Sequence, residues 1–368
     1  MLKNKNKGIT LVALVITIII LLILAGISIS ALTNTGIFGK AKEAKNASEN
    51  AEKEQKQTLS EYEKELNKYT AQELTNDKVN KVLSETENTI LKDVNGNIFT
   101  LPAGFKITGD ATTVDKGIII EDATVDSNGN ATPTNGSQFV WVPVGEITKT
   151  DGTKTEIKLN RYIFASDGTP IEKNEDVIGP YYQELATSDK GNTVAKNITN
   201  FKNSVKENGG YYIGRYEARK NTTSGKLTEV NSDSVWNNIT QPDAATQARN
   251  MYDEQQPFTS DLMNSYAWDT AITFIQKCTD KTNYANKNSL NRSFSSTGTT
   301  NDNPCNIFDM ASNVCEWTTE TPGNNCGSSP CVYRGGHCDD SYASTCNRGT
   351  RGASYSHICI GFRPLLYL

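Results

Sequence analysis

Histidine is nearly absent from this chain. Its 368 residues contain two, His337 and His357, both in the C-terminal tail. A nucleophile–histidine–acid site needs an imidazole held beside the nucleophile. Two histidines in one polar stretch offer no such arrangement. Basic excess is lacking too: 37 Lys and Arg stand against 42 Asp and Glu, a net charge of -5 and a pI near 5.4. That leaves no electrostatic footprint for nucleic acid. Among the 8 cysteines there is no C-x-x-C pair, which argues against a structural zinc site. Mean hydropathy is -0.52, and the chain has one long apolar run only.

The informative stretch is the tail RGGHCDDSYASTCNRGTRGASYSHICIGFRPLL, from Arg334 to Leu366. Arg334-Gly335-Gly336 and Gly361-Phe362-Arg363 bracket a run of short polar residues, Cys, Tyr and His. The glycine pair suits a turn with positive φ or a close backbone approach. Ile360 and Phe362 alternate with Gly361 and Arg363, as in a half-buried strand. The segment between has no apolar period, so it is expected to be surface loop. Ordered loops on a rigid scaffold are where binding and catalysis concentrate. All eight cysteines fall late, from Cys278 to Cys359. In an exported protein that clustering suggests disulfides whose pairing stays open.

The apolar run Ile9–Leu32 is long enough to span a bilayer, and Lys3, Lys5 and Lys7 precede it. The sequence KNKGITLVALVITIIILLILAGISI resembles the type IV prepilin leader, a basic peptide ending in glycine before a hydrophobic helix. The resemblance implies cleavage after Gly8 and methylation of Ile9. It also implies a membrane anchor, with the rest of the chain at the cell surface. Ala13 stands where that family has Glu as fifth mature residue, the one that registers subunits. Assembly with other pilins therefore stays open. Lys40–Tyr69 is rich in Ala, Glu, Lys and Gln with charges spaced three and four apart, and is expected to be an exposed stalk helix. From Val79 to Gln138, short apolar runs alternate with Gly, Asn and Asp, as in a small β connector.

From Phe139 the chain turns aromatic: FVWVPVGE, GGYYIGRYEA, SYAWDTAITFIQ, NIFDMASNVCEWTTE, VYRGG and IGFRP. Trp268, Ala271, Ile272 and Ile275 lie at helical spacing, and FVWVPV and YYIGRYEA read as strands. Short strands with few helices predict an α+β fold. In order and spacing these segments resemble the formylglycine-generating-enzyme domain, a variant of the C-type lectin fold, over Phe139–Leu366. The expected organisation is a leader (1–8), a transmembrane and stalk helix (9–69), a β connector (70–138) and a lectin-like domain (139–368) whose variable region is 337–359.

Relatives that oxidise cysteine use a cysteine pair just after the RGG, four residues apart, to bind copper. Here Cys338 is two positions past Gly336 and seven residues separate it from Cys346, so the pair is out of register. The alternative is an oxidase of the formylglycine-generating type, or an inactive relative of it at the envelope. The resemblance also implies a calcium site in some relatives near Asn313 and Glu316, with Asp309 within reach; no other cofactor is expected. A second group with this fold and this bracketed tail is the variable proteins of diversity-generating retroelements. In these an adenine-directed reverse transcriptase turns AAY codons into NNY codons, which never encode Lys, Glu, Gln, Met or Trp. None of these five lies between Gly336 and Ile360. Lys already stops at Lys287 and Glu at Glu320, so the clustering of His, Cys, Tyr and Asp beside GFR carries more weight. This resemblance implies a binding face of His337, Cys338, Asp339, Asp340, Tyr342, Cys346, Asn347, Tyr355, His357, Ile358 and Cys359. It implies a protein or glycan ligand on another cell, a host or a phage. Phe139, Trp141, Trp268, Trp317 and Phe362 are expected to be core.

Overall fold

The computed structural model describes residues 17–23, 37–173, 177–178, 182–183, 198–221, 227–228, 234–252, 256–288, 296–322, 329–337 and 343–368. The chain divides into two compact units, Met1–Glu63 and Lys64–Leu368. The first contains the helical segment 17–23 and most of helix α1, Ile37–Thr70. The expected stalk helix is thus present, three residues longer at its start and one at its end than the sequence suggests.

The membrane-spanning helix does not stand. Among the described residues no helix is long and apolar enough to cross a membrane. Helix α1 is long but polar, with Lys, Glu, Asn and Gln along its length. The expected membrane anchoring and cell-surface placement fall with that helix, and so does the fold class built on it. Gly8 and Ile9 lie outside the described residues.

The second unit is mostly sheet. Its main elements in chain order are β1 (Phe105–Thr108), β2 (Ile119–Val125), β3 (Ala131–Pro143), α2 (Ile198–Asn208), β4 (Gly210–Gly214), α3 (Gln241–Arg249), β5 (Thr259–Leu262) and α4 (Ser265–Cys278). Then come β6 (Cys315–Trp317), β7 (Cys331–Arg334), β8 (Arg348–Arg351), β9 (Ile360–Phe362) and β10 (Pro364–Tyr367). One sheet has the order β5-β10-β4-β3-β2-β1 and a second β8-β7-β6-β9. The connector boundary expected at residue 138 falls inside β3, and β1 and β2 belong to the larger sheet. Pattern alone could not show this, because the break at Asp126–Asn130 is a hairpin turn within one sheet. Between β2 and β3 the register shifts at Glu121 and Ala123. The Asp122 carboxylate fills the gap by accepting the N–H groups of Asn135, Gly136 and Ser137 at 2.9, 2.8 and 3.2 Å.

Helix α4 is the interior axis of the unit. Asn264 caps it, its side chain accepting the Ala267 N–H at 2.9 Å. Trp268, Ala271, Ile272 and Ile275 are fully buried at the spacing read from sequence. Phe139, Trp141, Trp317 and Phe362 are likewise 0% exposed. The last strand, β10, next to the chain end, lies inside the large sheet, where it pairs with β4 and β5. Truncating Trp268 or Trp317 to Ala should cost about 3–5 kcal/mol, since each empties a fully buried indole site. Denaturant unfolding of the single variants checks this, with a loss under about 1 kcal/mol contradicting it.

Candidate functional site

Strand β7 delivers Arg334 into the core, where it is 0% exposed. Its Nη2 donates to Asp269 Oδ1 at 2.6 Å and its Nη1 to Glu320 Oε2 at 3.2 Å. Arg348, on β8, reaches the same two carboxylates: Nη2 to Asp269 Oδ2 at 2.6 Å and Nε to Glu320 Oε1 at 2.9 Å. Arg161 adds a third guanidinium, donating from Nη2 to Glu320 Oε1 at 2.6 Å. Three arginines and two carboxylates thus form one buried cluster beneath the tail. Burial opposes ionisation of Glu320, but Arg348, Arg161 and Arg334 outweigh it and hold the carboxyl down at about 2. Burial likewise opposes the charge on Arg348, and Asp269 and Glu320 overcome it, pushing its pKa up.

The next two residues explain the glycine pair. Gly335 has φ +89°, and a Cβ there would sit 2.8 Å from the Met310 carbonyl and 3.1 Å from the Trp268 ring. At Gly336 the added carbon would be 2.3 Å from the Ala311 carbonyl. The backbone therefore turns tightly under the DMAS segment, Asp309–Ser312. Arg334 also clamps the later part of the tail, its Nε donating to the Asn347 carbonyl at 2.9 Å. Trp268 Nε1 donates to the Thr345 carbonyl at 3.0 Å, and the Thr345 and Cys346 N–H groups donate to Lys287 and Ala285.

At the other end β9 runs parallel to β6, pairing Glu316 with Gly361 and Trp317 with Phe362. Arg363 closes the bracket. Its Nη2 donates to Glu316 Oε1 at 2.6 Å and to the Phe308 carbonyl at 2.7 Å, and its Nη1 to the Gly214 carbonyl at 2.8 Å. The RGG and GFR motifs are therefore buried anchors.

The expected face residues distribute unevenly between these anchors. Cys338, Asp339, Asp340 and Tyr342 lie outside the described residues. His337, Cys346 and Asn347 are half-buried, with the Cys346 sulfur 3.8 Å from Asn286 Oδ1. Cys359 is in the core at 2% exposure, where its carbonyl accepts the Cys315 N–H and thiol at 3.0 and 3.1 Å. Tyr355, His357 and Ile358 form a ledge, with Tyr355 half-buried against the core and the other two exposed. Tyr355 and His357 stack at 6.0 Å and 12°, His357 is exposed and Ile358 is 45% exposed. The backbone under them is fixed. Asn237 Nδ2 donates to the Ile358 carbonyl at 2.7 Å, the Asn238 N–H to that of His357 at 3.1 Å, and His357 Nδ1 accepts the Cys359 N–H at 3.2 Å. Strand β8 crosses the part expected to be loop, and its sequence RGTR has no apolar alternation to reveal it. Arg351 and Tyr333 border the ledge, and no sequence pattern marks either of them.

The implied calcium ligands are engaged with protein groups. Both Glu316 oxygens take Arg363 N–H groups, and Asn313 Nδ2 and the Val314 N–H donate to Glu217. Asp309 accepts from Thr300, Ser312 and the Gly298 N–H. Among the described residues no group of three or more His, Cys, Asp or Glu is placed to hold a metal. Cys278, Cys305, Cys315, Cys331, Cys346 and Cys359 stand as thiols. Burial pushes Cys278 up to about 12 and Cys305 and Cys315 well above the usual range, which removes thiolate reactivity at neutral pH. A cavity of 490 Å³ lined by Asn97, Pro143, Ile147 and Gly209 contains no tail residue.

Comparison with known proteins places residues 130–366 in a family described as the sulfatase-modifying factor enzyme 1-like domain. Solved structures with a distant likeness include CarF, at 13% identity over 62% of this chain and 97% of that one (TM-score 0.34). PvdO from Pseudomonas aeruginosa has 12% identity over 64% and 96% (TM-score 0.34). The Major Tropism Determinant I1 variant has 15% identity over 80% and 85% (TM-score 0.32). No curated protein matches.

The depressed Glu320 carboxyl has a consequence for acid stability. Its folded form binds fewer protons than the unfolded form between about pH 4.5 and about 2, so its contribution is complete above that window and declines as pH falls through it. A shift from 4.5 to about 2 corresponds to roughly 3 kcal/mol. Glu320→Gln should therefore destabilise most at pH 7, with the gap to the parent closing toward pH 2. Melting curves of both proteins at pH 7, 5 and 3 check this; a gap independent of pH contradicts it.

Proposed function

Because the chain belongs to the sulfatase-modifying factor enzyme 1-like family, we propose that its domain is a ligand-binding scaffold whose C-terminal tail carries the recognising side chains. The observation behind this reading is the division of labour within the tail. Arg334, Arg348 and Arg363 are tied to buried carboxylates, while Tyr355, His357 and Ile358 project from a hydrogen-bonded backbone between them. A rigid backbone and partly held side chains bind without a large ordering cost. It also accepts sequence change, because surface substitutions away from such anchors usually alter stability by about 0.5 kcal/mol or less.

On this reading the face comprises His337, Cys338, Asp339, Asp340, Tyr342, Cys346, Asn347, Tyr355, His357 and Ile358, and the ligand is a protein. Cys359, in the core, supports the exit strand instead. Retroelement diversification is the source of the mixed side chains. Copper-dependent cysteine oxidation is the competing chemistry, and the spacing of Cys338 and Cys346 departs from what it requires.

Two observations test this. The neighbouring DNA should hold a near-copy of the codons for residues 334–363, with adenines at the differing positions and a reverse transcriptase gene nearby. Replacing His337, Asp339, Asp340, Tyr342, Tyr355 and His357 together with Ser should leave the melting temperature nearly unchanged and abolish binding on an array of immobilised proteins. Unfolding of that variant would place these side chains in the core and end the binding-face reading.

A further inference from the structure

Arg351 is the described cation of the tail that the buried carboxylates leave over. Arg348 and Arg363 are committed to Asp269, Glu320 and Glu316. Arg351 is exposed, and it lies among the Thr350 carbonyl, which accepts from Nη1 at 2.8 Å, and two aromatic rings. Its guanidinium lies 5.6 Å from the Tyr333 centroid and 5.2 Å from that of Tyr355, and Tyr355 in turn stacks on His357. No described carboxylate pairs with it. From Ala343 to Leu368 the sequence contains neither Asp nor Glu. In a chain of net charge -5 this is a local reversal of sign. Lys220 is also exposed and lies 5.4 Å over Trp236, whose neighbour Asn237 holds the Ile358 carbonyl.

We propose that the ledge of Tyr333, Arg351, Tyr355, His357 and Ile358 binds an acidic segment of a partner protein, a carboxylate docking on the Arg351 fork. The two rings and the Thr350 carbonyl hold the guanidinium in place, and the N–H groups beyond the one given to Thr350 can meet a carboxylate. The other members of the ledge set the partner's chemistry. Tyr355 and His357 lie near-parallel with centroids 6.0 Å apart. Exposed Ile358 offers an aliphatic contact suited to a protein side chain. Aromatic and Arg residues around an aliphatic contact are the usual composition of protein recognition surfaces. This inference rests on the tail being the recognition surface and names its ligand class.

The test uses the full chain on surfaces coated with poly-L-glutamate, poly-L-lysine or a polyuronate, at low and high salt. The protein should bind polyglutamate over the other two, more weakly at high salt, where charges are screened over a few ångströms. Arg351→Gln should weaken that binding about tenfold or more, the loss of a charge-assisted contact. Arg351→Lys, which keeps the charge without the fork, should weaken it less. Both variants should melt as the parent does. Unchanged binding by Arg351→Gln overturns the inference, as does failure of the parent to bind polyglutamate or a preference for the polyuronate. A further variant, His337, Asp339, Asp340 and Tyr342 all to Ser, separates the two readings because it spares the ledge. If it alone loses polyglutamate binding, the ledge is wrong and the tail reading stands. If neither it nor Arg351→Gln changes binding, both fall.

Discussion

Three guanidinium groups sharing two buried carboxylates hold this domain's functional end together. Arg161 comes from the strand Arg161–Phe164, Asp269 from helix α4, Glu320 from just after β6, Arg334 from β7 and Arg348 from β8. Five segments between residues 161 and 348 meet at one charge cluster. Removing either carboxylate leaves guanidinium charge buried without its partner, which costs about 3–5 kcal/mol. Each segment's position is therefore conditional on the others, and the tail begins and is clamped at this point.

A second pair repeats the device at the tail's exit. Arg363 and Glu316 are both fully buried, and the remaining N–H groups of the guanidinium reach the carbonyls of Gly214 and Phe308. Nearby Glu217 illustrates the contrasting case. Burial, with Asp309 and Glu316 close by, pushes its carboxyl well above the usual range. Glu320 is ionised because three arginines face it, whereas Glu217 faces mostly other acids. Between the two brackets the chain turns on Gly335 and Gly336, where a side chain would strike the Met310 and Ala311 carbonyls. Backbone position is thus set mainly by charge pairs and close approach, with the His357 ring adding one hydrogen bond to the Cys359 N–H.

Much of the scaffold was legible in the sequence. The spacing of Trp268, Ala271, Ile272 and Ile275 gave a buried helix, and the bracketing RGG and GFR motifs marked the ends of the tail. Strand β8 was not legible, because its stability comes from pairing with β7 and from Arg348 underneath; RGTR has no period of its own. The ion cluster was hidden for a related reason: Arg161, Asp269 and Glu320 sit in unremarkable local sequence, and only tertiary folding brings them to Arg334. Cys359 looked like a member of the binding face, yet the parallel pairing of β9 with β6 turns it inward. The apolar N-terminal run suggested a membrane helix through hydropathy alone, and no described helix has that length and character.

The central claim is that buried anchors fix the tail while the side chains between them are free to vary. Two libraries test it most directly. One randomises the codons for residues 337, 355, 357 and 358; the other randomises those for Arg334, Arg348 and Arg363. Resistance to protease then reports the folded fraction of each. Most members of the first should remain folded and very few of the second. Equal survival of the two libraries would contradict the claim, because the anchors would then matter no more to the fold than the side chains they display.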